Sequence, residues 1–504
     1  MYQIDKTVSL FDIDIYPIFI DSDAAKGFDA SACAWSVGGP IRAAVDISGV
    51  RAMTKLFGHS VRSELLILYL VETLVCFVTI YALLMFGLAK AVPIDRGAAL
   101  VSAAVLALSS GLVSSASGLY QPAIWRRFGR FLLGCLVAAL LLLVVANLVL
   151  SILAPEQAGA ARWGALAEVL VALFAATMLT HVTFAAAARG GLLKRRLAVL
   201  RGHDGQLRLE RELAGSEPRY EPFEIVLAGP VAALDESRFT PEALRASRIW
   251  AVIAAEPAAL PVDRRLAFEQ AGLRVLAETE FLEQRLNRVD LGRLTPDWFR
   301  TAAGLGRRRT ESALRRAFDI VSSLGLLLAT APLLLLTALA IKLDSRGPVF
   351  YRQERVGLGG RSFTLIKFRS MVVDAEAAGR PLWAGKQDPR ITRVGRLLRL
   401  FRIDEIPQAI NVLKGDMAMI GPRPERPAFV EQLARQIPHY NDRALVKPGI
   451  TGWAQVSYPY GASVEDARMK LAYDLYYVKN RSLFLDLLIL VATVRVVLFQ
   501  EGSR

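Results

Sequence analysis

A chain of 504 residues, 53% of them hydrophobic and with a mean hydropathy of +0.36, is too long for one domain and too apolar for an ordinary soluble protein. Its formal charge of +14 would suit nucleic acid, but Lys and Arg cluster beside apolar segments, where anionic headgroups and phosphate-bearing substrates are the better partners; nucleic acid is set aside. The three cysteines, Cys33, Cys76 and Cys135, have neither metal nor redox spacing, so no disulfide framework is expected.

Residues 1–52 read as an N-terminal extension, mixed in character and without the charged start and apolar core of a signal peptide. Asp12 and Asp14, like Asp21 and Asp23, form Asp-x-Asp pairs, a weak metal and nucleotide-diphosphate signal that polar segments also produce by chance. Four apolar stretches come next, at 65–89, 97–119, 131–154 and 163–188, each near the roughly 20 residues needed to cross a bilayer. They define a four-helix transmembrane region over residues 53–190. Arg126, Arg127 and Arg130 between the second and third, with Arg189, Lys194, Arg195 and Arg196 after the fourth, put both ends on the cytoplasmic side. Glu72 and His181 lie inside these helices toward that side, where snorkelling or a neighbouring helix satisfies them, and are read as structural. The second helix, rich in Gly, Ala and Ser, is expected to allow close packing rather than form a pore.

Residues 191–306 alternate short apolar runs, 197–200, 223–227, 249–254 and 273–277, with polar helix-forming stretches, which predicts a small Rossmann-like α/β domain with a parallel sheet. The first strand leads into Arg201-Gly202-His203-Asp204-Gly205-Gln206, which lacks the glycine spacing of a dinucleotide loop. The domain is read as structural or regulatory.

Residues 307–504 carry the chemistry. An apolar stretch, 318–343, is broken at Pro332, which removes a backbone donor and predicts a kink. Both flanks are basic: Arg307, Arg308, Arg309, Arg315 and Arg316 before, Lys342, Arg346, Arg352 and Arg355 after. Such a pattern fits a segment that enters the membrane and returns to the same face; the alternative is a kinked fifth crossing. Alternating residues around Gly357-Leu358-Gly359-Gly360 predict a hairpin whose second strand presents Lys367 and Arg369 on one side, a pair suited to phosphate oxygens. Val394, Leu397, Leu398 and Phe401 interleave with Arg393, Arg396, Arg399 and Arg402 as a basic amphipathic helix for a headgroup layer. Asp404 and Glu405 then open another helix, with Pro407 in its first turn, ahead of Gly421-Pro422-Arg423-Pro424-Glu425-Arg426. The stretch 483–499 is short for a span and is expected to lie on the surface.

Lys367-Phe368-Arg369-Ser370-Met371, Asp404-Glu405-Ile406-Pro407-Gln408, Gly421-Pro422-Arg423-Pro424 and Lys447-Pro448-Gly449-Ile450-Thr451-Gly452-Trp453, in this order, resemble the catalytic module of the monotopic phosphoglycosyl transferases, or polyprenyl-phosphate hexose-1-phosphate transferases. The resemblance implies a monotopic catalytic domain with a re-entrant helix broken at Pro332 and surface-lying amphipathic helices. The break departs from the family in having Ala331-Pro332 where Ser-Pro is usual. It implies transfer of a sugar-1-phosphate from a UDP-sugar to polyprenyl (undecaprenyl) phosphate with release of UMP, as the first membrane step of exopolysaccharide synthesis. Asp404 is then the nucleophile, Glu405 helps hold Mg²⁺, and Lys367, Arg369, Arg402, Arg423 and Arg426 are candidates for the substrate. UDP-glucose and UDP-galactose are the first sugars to try. The catalytic domain would face the cytoplasm from a bacterial inner membrane, among membrane lipids, with a homodimer left open. Met53-Thr54-Lys55-Leu56-Phe57-Gly58-His59 resembles the usual beginning of related transferases, making 1–52 an extension or a misassigned start, and Thr295-Pro296-Asp297-Trp298-Phe299 resembles the exit of the family's nucleotide-binding-like domain. Two rivals stand beside this reading. One is a catalytically silent scaffold or regulator of polysaccharide assembly; the other is a metal-dependent glycosyl transferase using Asp12 and Asp14, which would release UDP.

Overall fold

The computed structural model describes residues 53–56, 59–87, 95–121, 128–153, 160–191, 193–202, 208–214, 222–256, 258, 260–294, 309–373, 388–459, 461 and 463–499. The Asp-x-Asp pairs of 1–52, Cys33, Arg126, Arg127, residues 203–206, 295–299, Arg307 and Arg308 lie outside them. A short antiparallel pair, β1 (Met53–Leu56) and β2 (His59–Arg62), leads into α1 (Ser63–Ala82). Helices α2 (Arg96–Ala116), α3 (Phe128–Leu153) and α4 (Ala160–Arg189) complete a bundle. These four, with a fifth helix at 310–344, are long and apolar enough to cross a membrane. The apolar helices make this a membrane protein.

Leu70, Leu74, Leu140 and Val144 are exposed on the outside of the bundle, whereas Cys76, Ile80, Ala103, Leu106, Ala146 and Val169 are buried within it. Small residues let α2 approach closely, and at Gly111 a Cβ would run into the Tyr69 ring. Glu72 is fully buried. It accepts from Ser114 Oγ (2.7 Å), Tyr120 Oη (2.5 Å) and Thr177 Oγ1 (3.3 Å), and His181 Nε2 lies 3.1 Å away, so its partners come from neighbouring helices and the turn after α2.

The middle of the chain forms a four-stranded parallel sheet in the order β4-β3-β5-β6, from β3 (Arg195–Arg201), β4 (Phe223–Pro230), β5 (Ile249–Ala254) and β6 (Arg274–Ala277). Four helices accompany it: α5 (Arg208–Ala214), α6 (Pro241–Ala246), α7 (Val262–Gln270) and α8 (Glu278–Leu286). Both faces of the sheet are covered by apolar clusters, one around Val252 and Phe268 and one around Ile253 and Phe281. Asn287, at the end of α8, ties this domain to the C-terminal module: its Oδ1 accepts from Tyr476 Oη (2.9 Å) and its carbonyl from Trp453 Nε1 (2.8 Å). His59 closes the same junction, with Nδ1 3.1 Å from Tyr476 Oη.

The Pro332 segment is one helix, α9 (Arg309–Asp344). Its two ends are both fastened to the same module. Near the N-terminal end Arg315 pairs with Asp486, Arg316 donates to the Val412 and Leu413 carbonyls at 2.6 Å each, and Asp319 Oδ1 accepts from Met419 N (2.9 Å). At the other end Ile341 packs with Phe368 and Leu398, and Asp344 Oδ2 accepts from Val394 N (3.3 Å). Between them Leu328, Leu335, Leu336 and Leu339 are exposed.

The module consists of the hairpin β7 (Phe350–Val356) and β8 (Ser362–Phe368), helix α10 (Arg393–Leu400), helix α11 (Gln408–Lys414), β9 (Ala418–Ile420), α12 (Pro427–Ala434), β10 (Gly449–Thr451), α13 (Trp453–Ser457), α14 (Val464–Asn480) and α15 (Leu483–Leu498). Strands β9 and β10 pair in parallel. Helix α10 exposes Leu397 while burying Leu398, and Phe401 just beyond it is half exposed. Helix α15 packs against α2 of the bundle. Replacing Arg315 by Leu should destabilise the module by about 3–5 kcal/mol, because Asp486 stays buried without its cation. The Arg315→Leu/Asp486→Leu double variant should recover much of that loss, as read by thermal unfolding in detergent; no recovery would contradict the assignment.

Candidate active site

Asp404 and Glu405 sit in a 3₁₀ turn, Ile403–Glu405, ahead of α11 rather than inside it. The expected helix start is therefore displaced to Gln408. Pro407 has no N–H to give Ile403, so the chain closes i to i+3 bonds through this stretch: Ile406 N to Ile403 O (3.2 Å), Ala409 N to Ile406 O and Ile410 N to Pro407 O (3.0 Å each). Arg402, just before, holds φ at +57°, a left-handed conformation that non-glycine residues rarely take. The turn thereby aims both carboxylates inward, each only 8% exposed.

Glu405 meets cations on three sides. Arg423 donates to both of its oxygens, at 2.7 and 3.3 Å; Lys367 Nζ lies 3.1 Å and Arg402 Nη1 3.8 Å from Oε1. Burial alone would push Glu405 up, but the charges of Arg423 and Lys367 together with the Arg423 hydrogen bonds outweigh it and hold this carboxyl well below the usual range. Asp404 is treated oppositely. Its Oδ1 has no hydrogen-bond partner among the described residues, and burial, then the neighbouring Glu405 charge, push it up to about 6 against the pull of Lys367, Arg399 and Arg423. Even so raised, Asp404 is mostly ionised at neutral pH.

Each partner is delivered by a different element. Lys367 comes from β8, which Asn411 of α11 fixes to the acid turn: Asn411 Oδ1 accepts from Ile366 N (3.0 Å) and Nδ2 donates to Thr364 O (2.7 Å). Arg423 comes from the loop after β9. That loop lies against β10 so closely that a Cβ on Gly421 would collide with the Lys447 carbonyl, which is what the Gly-Pro-Arg-Pro and Lys-Pro-Gly motifs need glycine for. Arg443 braces it from behind, donating to Arg423 O (2.9 Å) and Tyr440 Oη (2.9 Å) and pairing with buried Asp474 (2.7 Å).

Arg369 is used elsewhere. Its guanidinium donates to the Arg346 and Ser345 carbonyls and to Ser345 Oγ, at 2.8, 2.8 and 2.9 Å, capping the end of α9. Lys367 and Arg369 therefore do not converge on Glu405, although both line the same cavity. Arg426 stacks over Phe429 at 6.0 Å from the ring centroid and also lines it. The cavity, of about 670 Å³, is lined by charged residues that include Lys367, Asp404, Glu405 and Arg423 and by apolar ones that include Leu326, Ile450, Val456, Val496 and Val497. Sequence patterns alone do not single out Asn411, Arg443 or Asp474. Asn411 carries a signal, an amide inside the apolar run Ala409 to Leu413, whereas Arg443 and Asp474 meet only through the tertiary fold.

Residues 310–500 match the family model for bacterial sugar transferases. The chain is 49% identical over 191 residues to a UDP-N-acetylgalactosamine-undecaprenyl-phosphate N-acetylgalactosaminephosphotransferase of Aeromonas hydrophila, covering 38% of this chain and 45% of that protein. It is 44% identical over 194 residues to an undecaprenyl-phosphate glucose phosphotransferase of Komagataeibacter xylinus, covering 38% of this chain and 36% of that one. With a UDP-glucose:undecaprenyl-phosphate glucose-1-phosphate transferase of Caulobacter vibrioides the identity is 42% over 217 residues, covering 43% of this chain and 81% of the relative. The chain belongs to the bacterial sugar transferase family. Its match spans less than half the length of the first two of these relatives.

Because Asp404 in the folded protein titrates above an unfolded Asp, its ionisation costs stability as pH rises from 3.8 to about 6, and the cost is full at pH 7. Asp404→Asn should therefore raise the Tm at pH 7.5, with the gain shrinking toward pH 4.5. A Tm lowered at pH 7.5 would contradict the raised pKa.

Proposed function

We propose that this protein transfers a sugar-1-phosphate from a UDP-sugar to polyprenyl phosphate, undecaprenyl phosphate being the form in its relatives' names, and releases UMP. The observation that carries the reading is the split acid pair: Asp404 lines the cavity and one of its oxygens, buried, has no hydrogen-bond partner among the described residues, while Glu405 beside it is neutralised by Arg423 and Lys367. A carboxylate without a hydrogen bond keeps its lone pairs available for attack. The cavity's lining, which combines charged and apolar residues, suits a sugar diphosphate and an isoprenoid chain.

In the first step an Asp404 oxygen attacks the sugar-bearing phosphorus; the bond to the bridging oxygen breaks and UMP leaves with that electron pair. In the second a phosphate oxygen of the lipid attacks the same phosphorus and the aspartyl bond breaks, returning the carboxylate. Arg423 and Lys367 offset the charge of Glu405, which lets a dianionic diphosphate approach two buried acids. The adjacent carboxylates suit a divalent cation of the Mg²⁺ type, which takes few protein ligands and fills its shell from substrate phosphates. Glu405 would help hold it, and it would supply charge neutralisation at the diphosphate.

Both ends of α9 fasten to the one module that carries the acid pair, while Leu328, Leu335, Leu336 and Leu339 between them stay exposed. This supports a re-entrant segment over a fifth crossing, with α9 running through Pro332 as one helix, and with it a cytoplasmic face for the site on a bacterial inner membrane, where UDP-sugars are found. The role would be the opening membrane step of exopolysaccharide synthesis. The neutralised acid pair weighs against a silent scaffold.

The test is product identity. Purified protein in lipid nanodiscs is given Mg²⁺, undecaprenyl phosphate and in turn UDP-glucose, UDP-galactose and UDP-N-acetylgalactosamine. One sugar nucleotide should yield UMP, Asp404→Asn should lower turnover by at least about 10³-fold, and Glu405→Gln should lower it less, with partial recovery at high Mg²⁺. UDP as the product, or near-normal turnover by Asp404→Asn, would overturn the reading.

A further inference from the structure

Helix α15 is apolar apart from Asp486 near its start and Thr493 and Arg495 near its end. A buried guanidinium in such a helix is costly unless its donors are met. Arg495 is only 9% exposed, and two of its neighbours among the described residues come from different parts of the molecule. On one side Nη2 donates to the Val456 carbonyl of α13 at 3.4 Å. On the other, the Gln121 side-chain amide lies against both terminal nitrogens, and with Oε1 as the atom facing the cation it would accept from both, at 3.1 Å from Nη2. Gln121 comes directly after Tyr120, whose hydroxyl is held by Glu72 in the buried polar cluster of the bundle with Ser114, Thr177 and His181.

Arg495 thus lies between the turn after α2 and α13, on the helix whose neighbouring residues reach the cavity. Thr493, Val496 and Val497, neighbours of Arg495 on α15, line the cavity together with Val456, and Thr493 Oγ1 is hydrogen-bonded to Thr451 Oγ1 at 2.8 Å. With its guanidinium held between Gln121 and Val456, α15 is fixed in rotation, because turning by one residue would swing Arg495 out by about 100° and remove Val496 and Val497 from the lining. The charged lining residues Lys367, Asp404, Glu405 and Arg423 have other supports: the 403–405 turn, β8 and the loop after β9.

We propose that Arg495 is a positioning residue through which the four-helix bundle sets the apolar lining of the cavity, and that this lining receives the isoprenoid chain of the acceptor. The inference rests on the reaction proposed above. It explains why a bundle remote from the acid pair belongs to the same polypeptide as the transferase module.

The experiment compares Arg495→Leu, Gln121→Leu, the double variant and Gln121→Glu in nanodiscs. UMP released from the UDP-sugar without acceptor is measured beside the KM for undecaprenyl phosphate. Each Leu variant should raise the acceptor KM about ten-fold while changing UMP release by less than about two-fold, and the double variant should be no worse than either single one. Gln121→Glu keeps an acceptor for the guanidinium and should stay near wild type. Should Arg495→Leu fail to fold, the two Gln121 variants decide the matter alone. An unchanged acceptor KM in the Leu variants, fully additive losses, or an equal fall in both half-reactions would overturn the positioning role. Absence of UMP release by the wild-type protein would instead refute the reaction itself, and this proposal with it.

Discussion

The Glu405 carboxylate is taken out of water only because Arg423 and Lys367 are brought to it. Three elements distant in sequence must meet for this to hold: β8, the 403–405 turn and the loop after β9. Much of the module's construction serves that meeting. Asn411 spends its amide on β8, Gly421, Gly449 and Gly452 let the backbones meet where the Arg423 loop crosses β10, and Arg443 is itself neutralised by Asp474 so that it can brace Arg423 from behind. Once Glu405 is satisfied, no cation is left in hydrogen-bond contact with Asp404 Oδ1 among the described residues, and the two neighbouring acids acquire opposite characters from one balance of charge.

The membrane parts are joined to this balance by a small number of buried polar contacts. Helix α9 is pinned at one end by Arg315, Arg316 and Asp319 and at the other by Arg369, which caps the carbonyls of Ser345 and Arg346. Lys367 and Arg369 thus stand two residues apart on one strand with different duties, one toward the acid pair and one toward the helix end. The bundle reaches the module through α2 and α15, and the sheet domain through Asn287.

Local patterns carried well from sequence to structure. The apolar runs at 197–200 and 249–254 became β3 and β5, the Gly-rich turn closed the β7–β8 hairpin, and the arginine-interleaved stripe became α10. Each depends on neighbours within a few residues. What depended on distant neighbours was not legible. Glu72 could be recognised as intramembrane, but not that three hydroxyls and His181 would surround it. Asp404 was legible as a nucleophile candidate by resemblance, while its raised pKa was not, because that shift comes from burial and from the charge next to it. Arg369 misled for a related reason: strand alternation says on which side a residue points but not what waits there.

The division of labour between the two acids is most directly tested by trapping. The protein is incubated with Mg²⁺ and its UDP-sugar in the absence of lipid acceptor, and the intact mass is recorded before and after hydroxylamine, which cleaves acyl phosphates. The account predicts an added hexose-phosphate that hydroxylamine removes, mapped by peptide analysis to Asp404 and lost in Asp404→Asn. A protein that turns over with acceptor present yet shows no adduct, or carries it on Glu405, would contradict it.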